Sequence, residues 1–318
     1  MYKLSVTLSV LILAAGIAVA QRTDLGVYPE PPAPPLPAAG GTFVDPTFGT
    51  TIMRLSDASD TPGTVPPGSN FGCRNSYSYW PTFNLDSTLA IFTCDYQQPN
   101  QTWNTSSTVL VHFDPVNFRI VSKNPIDLQM EAEDAIWSDV TPTVIYGHSG
   151  SQLRAFDVVT NQSTVVHDFA SDFPGKVLRQ ITKSKGDDEF AFSLMDQNGG
   201  PNIAFAVWSR SQNRVLMTRQ MGHDEVHIDK SGRYLAAMNV QGVQDAESQV
   251  YDVGSGAVQN LTNCSPDFAF DHSDFGQGIV AGVEDCTPSI TVRNLATPHQ
   301  FTTILKPFLF PDGTADWS

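Results

Sequence analysis

Positive charge is what this sequence has least of. Eighteen Lys and Arg stand against thirty-three Asp and Glu among 318 residues, a formal net charge of −15. Grip on a phosphate backbone needs a concentrated positive field, so a nucleic-acid partner is excluded. Cysteine is scarce as well, four in all, and no C-x-x-C occurs, which removes zinc knuckles and thioredoxin-type redox pairs. After residue 20 no apolar run approaches the length of a membrane span. P-loop, EF-hand and H-E-x-x-H patterns are missing, and Gly147-His-Ser-Gly-Ser151 lacks the closing Gly of a nucleophile elbow. Apolar residues, by contrast, make up 41% of the chain. That fraction is ample for a core and excludes a disordered chain.

The first twenty residues carry one positive charge at Lys3, an apolar run from Leu4 to Ala20 and a small-x-small end at Ala18-Val-Ala20. This pattern predicts a secretory signal, with Gln21 as the mature start and a secreted or periplasmic destination. Residues 21–41 contain Pro29-Glu-Pro-Pro-Ala-Pro-Pro-Leu-Pro37 and read as a stiff polyproline II spacer. Residues 42–318 are expected to form one all-β domain.

The internal signal is a repeat. An apolar stretch ends in an aromatic residue and a turn-forming polar one at Phe113-Asp114, Phe156-Asp157 and Tyr251-Asp252. Trp208-Ser209 and Arg293-Asn294 hold the same place in weaker form, and the steps between the five are 43, 52, 43 and 42 residues. A second feature keeps the same period: a strand, a polar turn and a β-branched or aromatic run, as in Tyr79 to Phe92, Ala135 to Tyr146 and Val226 to Ala237. Four short strands per 40–50 residues with little helical periodicity predict a β-propeller of four-stranded blades. The blades fall at 76–122, 133–168, 176–220, 223–263 and 268–305. Thr51 to Ser56 reads as the outer strand of a closing blade, and Ala315 to Ser318 as the first strand of a sixth. The sequence is therefore expected to be C-terminally incomplete, with six or seven blades in the full ring.

The unit in Tyr79 to Phe92 and in Val226 to Met238 resembles the TolB-type and WD-repeat propeller unit, as does Gly222-His223 followed by Tyr251-Asp252. The resemblance covers most of residues 50–305 and implies a fold rather than an activity. A more distant likeness is to the propeller-shaped oligogalacturonate lyases. It implies histidines from successive blades holding a metal over the channel.

In such a ring, residues far apart in sequence gather where the chain enters each innermost strand. Taken in order these are Tyr77 and Trp80; Glu131, Glu133 and Asp134; Arg179 and Gln180; His223, Asp224, Glu225 and His227; Asp271, His272 and Asp274; and Asp316. The candidate ligand-binding set is Glu133, Asp134, Arg179, His223, His227, Asp271, His272, Asp274 and Asp316. Disulfides are expected at Cys73–Cys94 and Cys264–Cys286, because in each pair one Cys precedes an innermost strand and the other follows the second strand of that blade. His223 and His227 cannot chelate one zinc from a strand, where four positions span about 13 Å. A divalent metal would instead take His227 and His272. Two functions follow: a monomeric binding or scaffold propeller for a glycan, peptide or protein, or a metal-assisted polysaccharide lyase.

Overall fold

The computed structural model describes residues 35–46, 48–60, 70–75, 80–97, 103–241, 248–261, 273–284, 289–305, 308–309 and 315–316. Two compact units divide the chain between Asp57 and Ala58. In the first, β1 (Thr42–Val44) pairs antiparallel with β2 (Thr51–Met53). The stretch expected to complete a closing blade thus finds its partner nine residues upstream, in a two-stranded hairpin.

The second unit is an all-β propeller of five four-stranded blades. Blade 1 is β3 (Asn70–Arg74), β4 (Leu89–Gln97), β5 (Trp103–Asp114) and β6 (Arg119–Ile126). Blade 2 is β7 (Ile136–Trp137), β8 (Val144–Ser149), β9 (Gln152–Asp157) and β10 (Gln162–Asp168). Blade 3 comprises β11 (Lys176–Lys183), β12 (Glu189–Asp196), β13 (Asn202–Ser209) and β14 (Arg214–His223). Blade 4 follows with β15 (Val226–Ile228), β16 (Tyr234–Ala237), β17 (Gln249–Asp252) and β18 (Val258–Asn260). Blade 5 has β19 (Ser273–Phe275), β20 (Ile279–Glu284), β21 (Ser289–Asn294) and β22 (Phe301–Leu305). A last pair joins β23 (Phe308–Leu309) to β24 (Ala315–Asp316), so the strand expected to open a sixth blade is the second of a two-stranded pair. Within every blade the strands pair antiparallel in chain order.

Blade 1 departs from its expected boundaries. Cys73 sits inside the first strand, directly opposite Cys94 on β4, and the two form a disulfide. The pairing is as expected, but it joins two hydrogen-bonded neighbours instead of flanking them. Trp80 lies after this strand, and Phe83 makes only an isolated bridge to Ala90. Cys264 and Cys286 lie outside the described residues.

The core sits between blades. One apolar cluster packs blade 2 on blade 3 through Tyr146, Leu153, Ile181, Phe190, Phe192 and Trp208. Others join blades 1 and 2 through Leu110, Trp137 and Phe156, blades 3 and 4 through Phe205, Val226 and Leu235, and blades 4 and 5 through Ala236, Val250 and Val280. A blade buried on both faces needs apolar residues at successive positions, because side chains alternate between faces. Phe190-Ala-Phe-Ser-Leu194 meets that demand and is buried throughout.

Candidate functional site

Strands 1 and 3 of each blade begin, and strands 2 and 4 end, on one side of the ring, here called the mouth side. A 3-10 turn (Ala132–Asp134) leads into blade 2 there and buries the Asp134 carboxylate. Its Oδ2 lies 2.7 Å from His148 Nε2 and accepts the Gln180 backbone N–H at 2.8 Å. Gln180 adopts φ +52°, a left-handed conformation, where the β11–β12 register shifts between Arg179 and Thr182. The bulge aims a backbone N–H at the neighbouring blade.

The Gln180 side chain continues the chain of contacts. Its Oε1 accepts from Asn202 Nδ2 at 3.0 Å and lies 3.4 Å from Ser193 Oγ. Asn202 Nδ2 also reaches the Asp224 carbonyl at 2.6 Å. Ser193 Oγ is 2.8 Å from His223 Nε2, and His223 Nδ1 is 2.9 Å from the Met221 carbonyl. A carbonyl only accepts, so Nδ1 carries the imidazole proton and Nε2 takes the hydroxyl hydrogen. Burial lowers the His223 pKa, with the Met221 carbonyl and Asp224 opposing, which suits a neutral ring. The contact has the form of a nucleophile and its base, but Ser193 is 0% exposed and no substrate reaches it. The network joins blade 2, blade 3 and the threshold of blade 4. Above it Glu131, Arg179 and Asp224 are exposed.

His227 lies elsewhere, on β15. Its ring stacks on Phe275 with centroids 5.1 Å apart and planes 9° apart, and its Nε2 is 3.1 Å from Glu225 Oε2. It lines an axial cavity with Trp80, Thr182, Lys183, Asp274 and Phe275. At about 20 Å³ the cavity has room for a single water.

Lys183 is at the far end of β11 from the mouth and only 1% exposed. Its ammonium is 2.5 Å from Asp139 and 2.6 Å from Asp187, and Asp187 also accepts the Ser138 hydroxyl. His148 is the partner of Asp134. No local motif could have found His148, Ser193 or Asn202, since their partners lie 13 to 30 positions away. The Glu133 and Asp316 side chains, and Asp271 and His272 altogether, lie outside the described residues. Among the described residues no three His, Cys, Asp or Glu converge in a way that could hold a metal ion. Both nitrogens of His223 are engaged, so it is not a free donor.

No protein-family profile matches the chain, and no curated protein matches it by sequence. Solved structures do match. An oligogalacturonate lyase from Vibrio parahaemolyticus is 10% identical, with 87% of this chain and 78% of that chain covered and a TM-score of 0.57. An oligogalacturonate lyase in complex with manganese is 11% identical over 86% of this chain and 87% of that one, at TM-score 0.50. TolB from Acinetobacter baumannii is 14% identical over 71% and 56%, at 0.44. At these identities the likeness is one of fold. The chain shares the propeller.

Proposed function

We propose that the protein is an exported binding propeller that recognises a peptide or protein segment bearing cationic side chains at its mouth face. The observation that carries this reading is the hydrogen-bonded layer from His148 through Asp134, Gln180, Ser193 and Asn202 to His223. It fixes the threshold of blade 4 beneath the exposed Glu131, Arg179 and Asp224. A rim held rigid in advance loses little entropy on binding. Two carboxylates to one guanidinium favour a positively charged ligand, in keeping with the net charge of −15. Export rests on the Leu4 to Ala20 run and on the Cys73–Cys94 disulfide, a bond typical of oxidising compartments. Among the described residues no helix is long and apolar enough to cross a membrane.

The test is anisotropy of a labelled Lys-Ala-Lys-Ala-Lys peptide. Saturable binding should weaken at least tenfold in Glu131→Gln/Asp224→Asn. Equal binding by that variant would remove the mouth face from the reading. A second reading, a metal-assisted polysaccharide lyase, has His227 beside the axial cavity with Glu225 and Asp274 in its favour. Ultraviolet-absorbing unsaturated product from oligogalacturonate and manganese, lost in His227→Ala and His272→Ala, would replace the binding reading.

A further inference from the structure

The side opposite the mouth carries a feature of contrary charge. A groove of about 450 Å³ lies between blades 3 and 4, bounded by the β13–β14, β15–β16 and β17–β18 turns. Leu216 and Val253 line it and pack into the apolar cluster joining those blades. Arg214 and Arg233 line it as well, and both are exposed. Arg214 Nε donates to Gln212 Oε1 at 2.8 Å, and Arg233 Nε donates to Asp252 Oδ2 at 2.9 Å. The Arg233 guanidinium also lies 4.9 Å over the Tyr234 ring, which holds it in place. Among the described residues, the Nη groups of both arginines have no hydrogen-bond partner. Two oriented forks thus stand with most of their donors unused.

Carboxylates near the groove are already engaged. Asp252 takes the Arg233 Nε–H and the Ser255 N–H, Asp188 takes the Ser211 N–H and hydroxyl, and Glu189 takes the Ser184 hydroxyl. Gly232 is required where it stands: its φ is +75°, and a Cβ there would fall 2.4 Å from Glu189 Oε2. Its missing side chain makes room for the Glu189 carboxylate.

We infer that this groove binds an acidic peptide segment, its carboxylates on Arg214 and Arg233 and its aliphatic side chains on Leu216 and Val253. Guanidinium forks match carboxylates in a bidentate way that lysines do not. The volume falls in the range of about 300–1,000 Å³ usual for ligand sites. No aromatic ring lines the groove, so the stacking platform a sugar would use is missing, and a peptide is favoured over an acidic saccharide. The overall negative charge does not forbid this. Charges more than about 8 Å away are largely screened at physiological salt, so the local field is that of the two arginines and the hydrogen-bonded Asp252 and Glu189 beside them.

The test uses the full chain and fluorescein-labelled Glu-Leu-Glu-Leu-Glu, with Gln-Leu-Gln-Leu-Gln as the neutral control. The acidic peptide is expected to bind saturably and the neutral one not. Arg214→Gln and Arg233→Gln should each weaken binding about tenfold, and the double variant should abolish it. Arg119→Gln, on blade 1, should leave it unchanged. Circular dichroism checks that each variant is folded. If Arg233→Gln unfolds with loss of the Asp252 contact, Arg233→Lys keeps the charge without the fork and should bind several-fold more weakly. Absence of saturable binding, full binding by a folded double variant, or displacement of the peptide by oligogalacturonate at lower concentration than by unlabelled peptide would each overturn the inference.

Discussion

Two buried basic residues show how single residues are governed by what surrounds them. Burial holds the His223 imidazole below its ordinary value of 6.5. Between that value and the lowered one, the unfolded chain binds a proton that the folded chain refuses. Stability from this group is therefore complete above about pH 6.5 and falls as the pH drops further. The calorimetric midpoint should decline from about pH 7.5 to about pH 5.5, and His223→Gln should flatten that decline; an unchanged slope would show that another group titrates. Lys183 is buried against two carboxylates, Asp139 and Asp187. Removing it leaves the buried Asp187 without its counterion. Lys183→Ala should cost about 3 kcal/mol in urea unfolding, and a cost below about 1 would mean that water replaces the ammonium.

The repeating unit has a physical explanation in its third hairpin, the turn joining strands 3 and 4. Asp114 Oδ1 accepts the backbone N–H groups of Val116 and Asn117, and Asp157 Oδ1 those of Val159 and Thr160. Ser209 Oγ accepts from Gln212 N, Asp252 Oδ1 from Ser255 N, and Asn294 Oδ1 from Ala296 N. The polar residue of the recurring step is a turn cap in all five blades, which is why Asp, Ser and Asn interchange there. The residue before it is buried in each case: Phe113, Phe156, Trp208, Tyr251 and Arg293. Hydrogen bonds from Asn117 lower the Asp114 carboxyl to about 2. A lowered carboxylate adds stability above its ordinary value of 3.8 that is lost as the pH falls through its folded value. Asp157→Ala, which deletes one cap, should destabilise by about 1 kcal/mol in equilibrium denaturation while leaving the circular dichroism spectrum unchanged.

All four apolar clusters lie within residues 58–318, so that unit holds the packing that drives its folding. A chain beginning at Ala58 should melt within a few degrees of the full protein, and a large fall in midpoint would show that residues 1–57 contribute to the core. Charge is also distributed at this scale. Glu131 and Asp224 stand exposed at the mouth, whereas Lys185, Arg210, Arg214 and Arg233 stand exposed at the opposite side of blades 3 and 4. The spacing of the repeat made the architecture legible, and the blade boundaries at 133–168 and 176–220 fell within three residues of the strands observed. Blade 1 was less legible because its first strand, Asn70–Arg74, has Gly72 at its centre and no apolar alternation to announce it.

The amino-acid order alone determined the strands, the period and the positions of the turns, because each depends on neighbours a few residues apart: alternation for a strand, an Asp or Asn for a turn. It also put Asp134, His223 and His227 near the starts of blades. Tertiary structure decided which of these residues meet. Asp134 finds His148 and Gln180, His223 finds Ser193, and His227 turns away to Phe275. The contacts to Gln180 and Phe275 cross blade boundaries and those to His148 and Ser193 lie within one blade, so the twist and packing of whole sheets set the distance between side chains.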